Sequence, residues 1–178
     1  MYKSILLFLL AALLLTVPAA RACSCLATAA REQQQIATAY AQDALIFIGR
    51  VIKVETVVSV DTTHAGGAAP SQAGSSRRET YRYTFAISRL LKGRVTGRTV
   101  FIHTETSSSS CGVSLKINSR QLVHAFVVEQ EQPRAQANAT PAAPYYATSL
   151  CHRTKELKHA KRTELQQLYQ LAKKSQGT

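Results

Sequence analysis

The sequence predicts a small all-β domain. Five strands joined by hairpins close into an antiparallel barrel, with a short N-terminal helix before them and a C-terminal amphipathic helix after them. Three observations carry this expectation. Residues 43–60 form a long β-branched run broken by one glycine, Gly49. Tyr81, Tyr83, Phe85 and Ile87, and then Val100 and Ile102, recur at the two-residue period of half-buried strands. From Thr154 onward the period changes, and Leu157, Ala160, Leu165, Leu168 and Leu171 fall on one helical face among Lys, Arg, Glu and Gln.

In chain order, residues 26–41 are Ala- and Gln-rich, with Ile36 and Tyr40 four apart, and predict a short surface helix. Residues 43–60 predict a long strand that bends at Gly49, because a glycine within a strand marks a bulge or corner. Residues 61–78, rich in Gly, Ala, Ser and Pro, predict a flexible loop. The strand through Tyr81 and Ile87 ends at a Leu90-Leu91-Lys92-Gly93 turn, and the strand through Val100 and His103 runs into a serine-rich loop at 104–110. Val113, Leu115 and Ile117 predict a short strand, Asn118-Ser119 a turn, and residues 121–129 a buried strand. Residues 131–144 predict a second Pro/Ala-rich loop, and Tyr145 to Thr148 a short extended segment. Closure removes exposed strand edges, which favours a barrel. The strand lengths and the corner glycine suit an OB-fold-like barrel, and periodicity alone leaves a sandwich open.

Residues 1–22 predict a signal peptide. Lys3 supplies the positive flank, residues 5–17 an apolar core too short for a comfortable span, and Ala20-Arg21-Ala22 a small-residue cleavage site. An uncleaved anchor is the minor alternative. So is lipidation of Cys23, whose usual preceding aliphatic and small residues are here Ala20 and Arg21. Removing residues 1–22, which hold Lys3 and Arg21, from 178 residues of net charge +12 leaves a single domain, 23–178, of 156 residues and +10. The predicted localisation is secreted, extracellular or periplasmic, with no transmembrane span in the mature chain. A basic surplus fits an anionic surface or polymer, or simply a solvated face. Without Trp or an Arg-aromatic motif it does not point to nucleic acid.

Four cysteines, Cys23, Cys25, Cys111 and Cys151, predict two disulfides in an oxidising compartment. Cys23 and Cys25 are too close to pair with each other. That leaves 23–111 with 25–151, or 23–151 with 25–111, each bond contributing on the order of 3–5 kcal/mol.

Catalytic chemistry finds no motif, no enzyme is expected, and no cofactor is implied. No His-Glu-x-x-His occurs, and no serine lies in a Gly-x-Ser-x-Gly elbow. His64, His103, His124, His152 and His159 are scattered, and His124, inside a strand, reads as a structural histidine. Cys-x-Cys as a redox or copper site requires free thiols. Lys155, Lys158, Lys161, Arg162, Lys173 and Lys174 could hold an anionic polymer, but a solvated face above a leucine stripe is the favoured reading. Asn138-Ala-Thr140 is a formal glycosylation sequon.

Cys23-Ser24-Cys25 at the predicted mature start, Ala44-Leu-Ile-Phe-Ile-Gly-Arg-Val, Leu91-Lys92-Gly93, Ser109-Ser110-Cys111-Gly112 and the late Cys151 occur in one order. Together they resemble the tissue inhibitor of metalloproteinases (TIMP) family, and more broadly the netrin-like (NTR) domains that share its OB-fold. The resemblance implies a secreted metalloendopeptidase inhibitor whose partner is a secreted zinc metalloproteinase. Cys23 would chelate the target's zinc through its backbone amine and carbonyl. Ser24 would enter the specificity pocket, Cys25 would anchor the wedge, Leu26 would lie along the cleft, and Ser109 and Ser110 would form a second contact. It also implies the pairing Cys23–Cys111 with Cys25–Cys151. The family's inhibitory domain normally carries three disulfides, one more than four cysteines allow. The alternative is a non-inhibitory netrin-like binding module for a protein or an anionic polymer.

Overall fold

The computed structural model describes Cys25 and residues 30–62, 75–129 and 143–176. The predicted leader, His64 and the sequon at Asn138 lie outside these residues. In chain order come α1 (Glu32–Gln42), β1 (Leu45–Thr62), β2 (Ser75–Lys92), β3 (Thr99–Glu105), β4 (Arg120–Val128), β5 (Tyr145–Ala147), β6 (Lys155–Glu156) and α2 (Arg162–Gln176). The sheet order is β1-β2-β3-β5-β4-β6, and an additional β1–β4 pairing closes the first five strands into a ring. The molecule is therefore mostly β and barrel-like, with a helix on each side in sequence, as expected.

The near-continuous apolar start of β1 follows from burial on both faces. Leu45, Phe47 and Val51 point into the ring with Phe85, Val100, Ile102 and Val123. Phe47 and Phe85 meet edge to face with centroids 5.3 Å apart. Ile46 and Ile48 point outward with Leu122. They are covered by Ile36 and Tyr40 of α1 and by Leu168 and Ala172 of α2. Leu168 is fully buried, which stabilises by about 1.5–3 kcal/mol. The α2 leucine stripe thus packs on the sheet, and several of the basic residues around it are engaged in ion pairs. Buried Glu164 accepts from Arg153 Nε at 2.9 Å and Lys155 Nζ at 3.1 Å. Lys161 reaches Glu32 and Lys158 reaches Glu156, each at 2.9 Å. Among the described residues no helix is long and apolar enough to cross a membrane.

Gly49 is a bend, as expected: the β1–β2 register shifts between Ile48 and Gly49. A Cβ there would lie 2.9 Å from both the Ala86 carbonyl oxygen and the Phe47 ring.

Several expectations are corrected. The ring is not wholly antiparallel, because β5 pairs parallel to β3, Ile102 with Tyr146 and His103 with Ala147. The loop expected at 61–78 begins later and ends earlier, since β1 continues to Thr62 and β2 starts at Ser75. Polar Ser and Arg residues read as a loop, yet each strand gives the other a backbone partner out to Thr62–Ser75. The strand expected at Val113–Ile117 is an irregular segment. Side chains satisfy its backbone instead of a ladder, with Val113 N–H donating to Thr104 Oγ1 at 3.0 Å and Leu115 N–H to Tyr83 Oη at 3.2 Å. The C-terminal helix starts at Arg162 rather than Thr154, after β6 and a 3-10 turn at Leu157–His159. Leu157 and Ala160 still join the apolar layer from outside the helix.

Candidate binding edge

One end of the ring carries two short loops that meet. The first follows β3. Ser108–Ser110 form a 3-10 turn after Ser107, whose Oγ accepts from Ser110 N–H at 3.3 Å and lies 2.7 Å from Ser109 Oγ. Cys111 then takes a left-handed conformation, φ 63°, and Gly112 N–H returns to the Ser107 carbonyl at 2.8 Å. Ser108, Ser109 and Ser110 are exposed above this closed loop, while Gly112 is buried beneath it.

The second loop follows β5. Thr148 N–H donates to the His103 carbonyl at 2.9 Å, and its hydroxyl donates to the His124 carbonyl at 2.8 Å. Leu150 N–H donates to the Cys111 carbonyl at 2.8 Å, which ties the two loops together. Cys151, the next residue, is disulfide-bonded to Cys25 with Cα atoms 5.2 Å apart. The structure thus selects the 25–151 pairing. Cys111 is also disulfide-bonded, and its expected partner Cys23 lies outside the described residues, as do Ser24 and Leu26. Of the predicted contact residues, Cys25, Ser109 and Ser110 are therefore gathered on one exposed edge. With Cys25 oxidised, its thiol is not free for a copper or redox site.

Sequence reasoning missed two parts of this edge. Leu150, 48% exposed, stands at the junction of the two loops; its one sequence signal was an apolar residue set directly before a cysteine. The other part is a buried polar group under the second loop. His124 Nδ1 lies 2.6 Å from Asp43 Oδ2, and both side chains are almost wholly buried. His124 Nδ1 thus has a carboxylate partner, while its buried Nε2 has none among the described residues. His152 stacks on Phe126 with centroids 4.6 Å apart. Its Nδ1 lies 2.9 Å from Ser149 Oγ and its Nε2 3.7 Å from Asp43 Oδ1.

Burial pushes the His152 imidazole below its usual range, although Asp43 pulls the other way; His124 adds to the lowering. Burial, with the Arg82 guanidinium, likewise lowers His103. A histidine whose folded pKa is depressed takes up its proton more readily when unfolded. Stability is therefore fully present above the unfolded pKa, about 6.5, and declines as pH falls through the folded values. Urea midpoints are expected to drop between pH 7 and 5, and His152→Asn is expected to flatten that slope. An equal slope in the variant would show that His152 does not contribute.

Ser149, His152 and Asp43 bring a hydroxyl, an imidazole and a carboxylate together, with separations of 2.9 and 3.7 Å. A groove of 780 Å³ lies between Glu32 and Ile36 of α1 and Gln170 and Leu171 of α2, and none of Cys25, Ser109 and Ser110 lines it. Among the described residues no group of three or more His, Cys, Asp or Glu side chains is arranged to hold a metal. No protein-family model and no curated protein matches the chain.

Proposed function

We propose that the chain is a secreted inhibitor of zinc metalloproteinases of the TIMP-like kind, built on an OB-type ring. The observation that carries the reading is the 2.8 Å hydrogen bond from Leu150 N–H to the Cys111 carbonyl. It sets the Ser108–Ser110 turn beside the Cys25–Cys151 bridge, so Cys25, Ser109 and Ser110 share one edge. The five-stranded closed ring, with β5 inserted between β3 and β4, supports the OB-type assignment.

The chemistry requires a free α-amine at Cys23. A catalytic zinc keeps one position open to water, and a nitrogen donor binds there at about 2.0–2.1 Å. An α-amine titrates near 7.7–8.0, so releasing its proton to a metal costs little at neutral pH. The neighbouring carbonyl oxygen closes a five-membered chelate. Holding the wedge by disulfides before binding lowers the cost of ordering it. Ser24 is placed in the specificity pocket and Leu26 along the cleft, with Ser109 and Ser110 as the second contact. The proposed pairing of Cys23 with Cys111 would fix the chelating residue to the same edge.

The test is an alanine added ahead of Cys23 in the mature protein, assayed with the unextended form against a panel of secreted zinc proteases. The extension turns the amine into an amide, a poor zinc donor. Inhibition is expected to disappear while the thermal melt is unchanged. If both forms inhibit equally, or neither inhibits any protease, chelation is wrong and a netrin-like binding module for a protein or an anionic polymer replaces it.

A further inference from the structure

Ring closure gives β1 a neighbour on both sides except where the long hairpin leaves it. β1 meets β4 only over Leu45–Arg50. Val51 makes the last contacts on that side, donating to the Ser119 carbonyl at 3.1 Å and accepting from Asn118 N–H at 2.8 Å. β2 meets β3 only over Thr80–Ala86. Yet β1 and β2 stay paired with each other as far as Thr62 and Ser75, so the hairpin continues past the ring as a two-stranded arm. From Lys53 to Ser59, among the described residues, β1 pairs with β2 alone and nothing bonds the backbone of its other edge.

An unpaired edge is a template for another strand, and proteins usually blunt it with charge, proline or a bulge. The root of this edge has such devices. Ile52 is the extra residue of a bulge between the Val51–Phe85 and Lys53–Thr84 pairs, and Lys53 pairs with Glu55 at 2.8 Å. Beyond Glu55 they stop: Thr56-Val57-Val58-Ser59 has no charge and no proline. The matching stretch of β2 carries Arg78, which is ion-paired to Glu105, and Glu79, which stands opposite Val58. Large apolar side chains stand exposed along the β1 side, Ile52 at 45%, Val58 at 44% and, next to Asn118 at the root, Ile117 at 53%. Arg50 and Arg120 face each other across the β1–β4 junction at the same place.

We propose that the free edge of β1, Lys53 to Ser59, binds an extended acidic polypeptide segment as an added strand. Backbone pairing supplies the affinity, and alternate side chains supply the selection. Val54, Thr56 and Val58 share one face of the strand and favour apolar residues at every second position of the partner. The cations at the root, on a mature chain with an expected net charge of +10, favour carboxylates between them. The same charge disfavours a second copy of this chain, whose approach sets like charges against each other. The proposal uses none of Cys25, Ser109 and Ser110, and it stands whether or not the chain inhibits a protease.

The test titrates the full mature chain with a peptide of alternating glutamate and valine, read by backbone amide shifts and hydrogen exchange. Alternate amides between Lys53 and Ser59 are expected to gain protection, and those of β4 are not. A lysine–valine peptide should bind at least about tenfold more weakly, since like-charge approach is costly. Thr56→Pro and Val57→Pro each remove one N–H, and in a strand one of the two faces β2 and the other the free edge. The variant that keeps the wild-type melt should lose peptide protection. Three results overturn the proposal: no protection in β1, equal binding of both peptides, or protection that grows with protein concentration in the absence of peptide, which would assign the edge to a second copy.

Discussion

Gly112→Ala is expected to destabilise the protein by about 3 kcal/mol or more and to dislodge the Ser108–Ser110 turn. A Cβ at this buried position would overlap the Glu105 carbonyl and lie 2.7 Å from the Ser107 carbonyl oxygen. Both obstacles are backbone, so no rotamer change relieves them, and overpacking of this kind sits at the upper end of its usual range. The strain falls between the end of β3 and Cys111, where Gly112 N–H holds the loop closed. Urea denaturation should show the loss, and amide shifts of the variant should change most at residues 105–112. A wild-type melt for Gly112→Ala would mean that the loop has room to relax and is not the rigid second contact the proposed function needs.

Removing the Cys25–Cys151 bridge should cost still more. The bond spans 126 residues of sequence, and with the proposed Cys23–Cys111 bond in place its removal frees the stretch between Cys111 and Cys151, which corresponds to about 4 kcal/mol of denatured-state entropy. That is a large fraction of the total stability of an ordinary domain, about 5–15 kcal/mol. Cys25→Ser combined with Cys151→Ser should therefore unfold at a much lower urea concentration, read by circular dichroism. Inhibition should fall further than stability accounts for, because the proposed Cys23–Cys111 bond would then hold the wedge alone. A doubly substituted protein as stable as the parent would show that contacts around α1 already hold the start of the chain.

Much of the fold was legible because it depends on local pattern. The long run after Asp43, the bend at Gly49 and the leucine stripe of α2 each follow from periodicity and composition, and each is found. The misses are of two kinds. Val113-Ser-Leu-Lys-Ile117 alternates like a strand, but Tyr83 Oη and Thr104 Oγ1 take its amides, and a tyrosine far away in sequence leaves no trace in that window. The parallel β3–β5 contact and the extension of β1 and β2 into the expected loop depend on what lies across the sheet. The edge divides in the same way. Cysteine spacing narrowed the bridges to two sets, the resemblance implied one of them, and the Cys25–Cys151 bond agrees with it. Leu150 and the Asp43–His124–His152 group needed the fold, because their members come from β4, the connection between α1 and β1, and the loop after β5.

The parallel placement of β5 between β3 and β4 also orders events in time. The ring has no seam that local hairpins alone can close: β1–β2 and β2–β3 form from neighbours, but Tyr145–Ala147 must arrive before β3 and β4 are bridged. Cys151 follows only a few residues later. A chain emerging from its N-terminus therefore spends most of its synthesis with Cys25 unable to reach its partner and with the apolar interior open along one side. Contacts of such long sequence separation fold slowly, and they expose sticky surface while they wait. Oxidation of this bridge is necessarily a late step, and a chain halted before Tyr145 carries a hairpin meander rather than a smaller version of the ring.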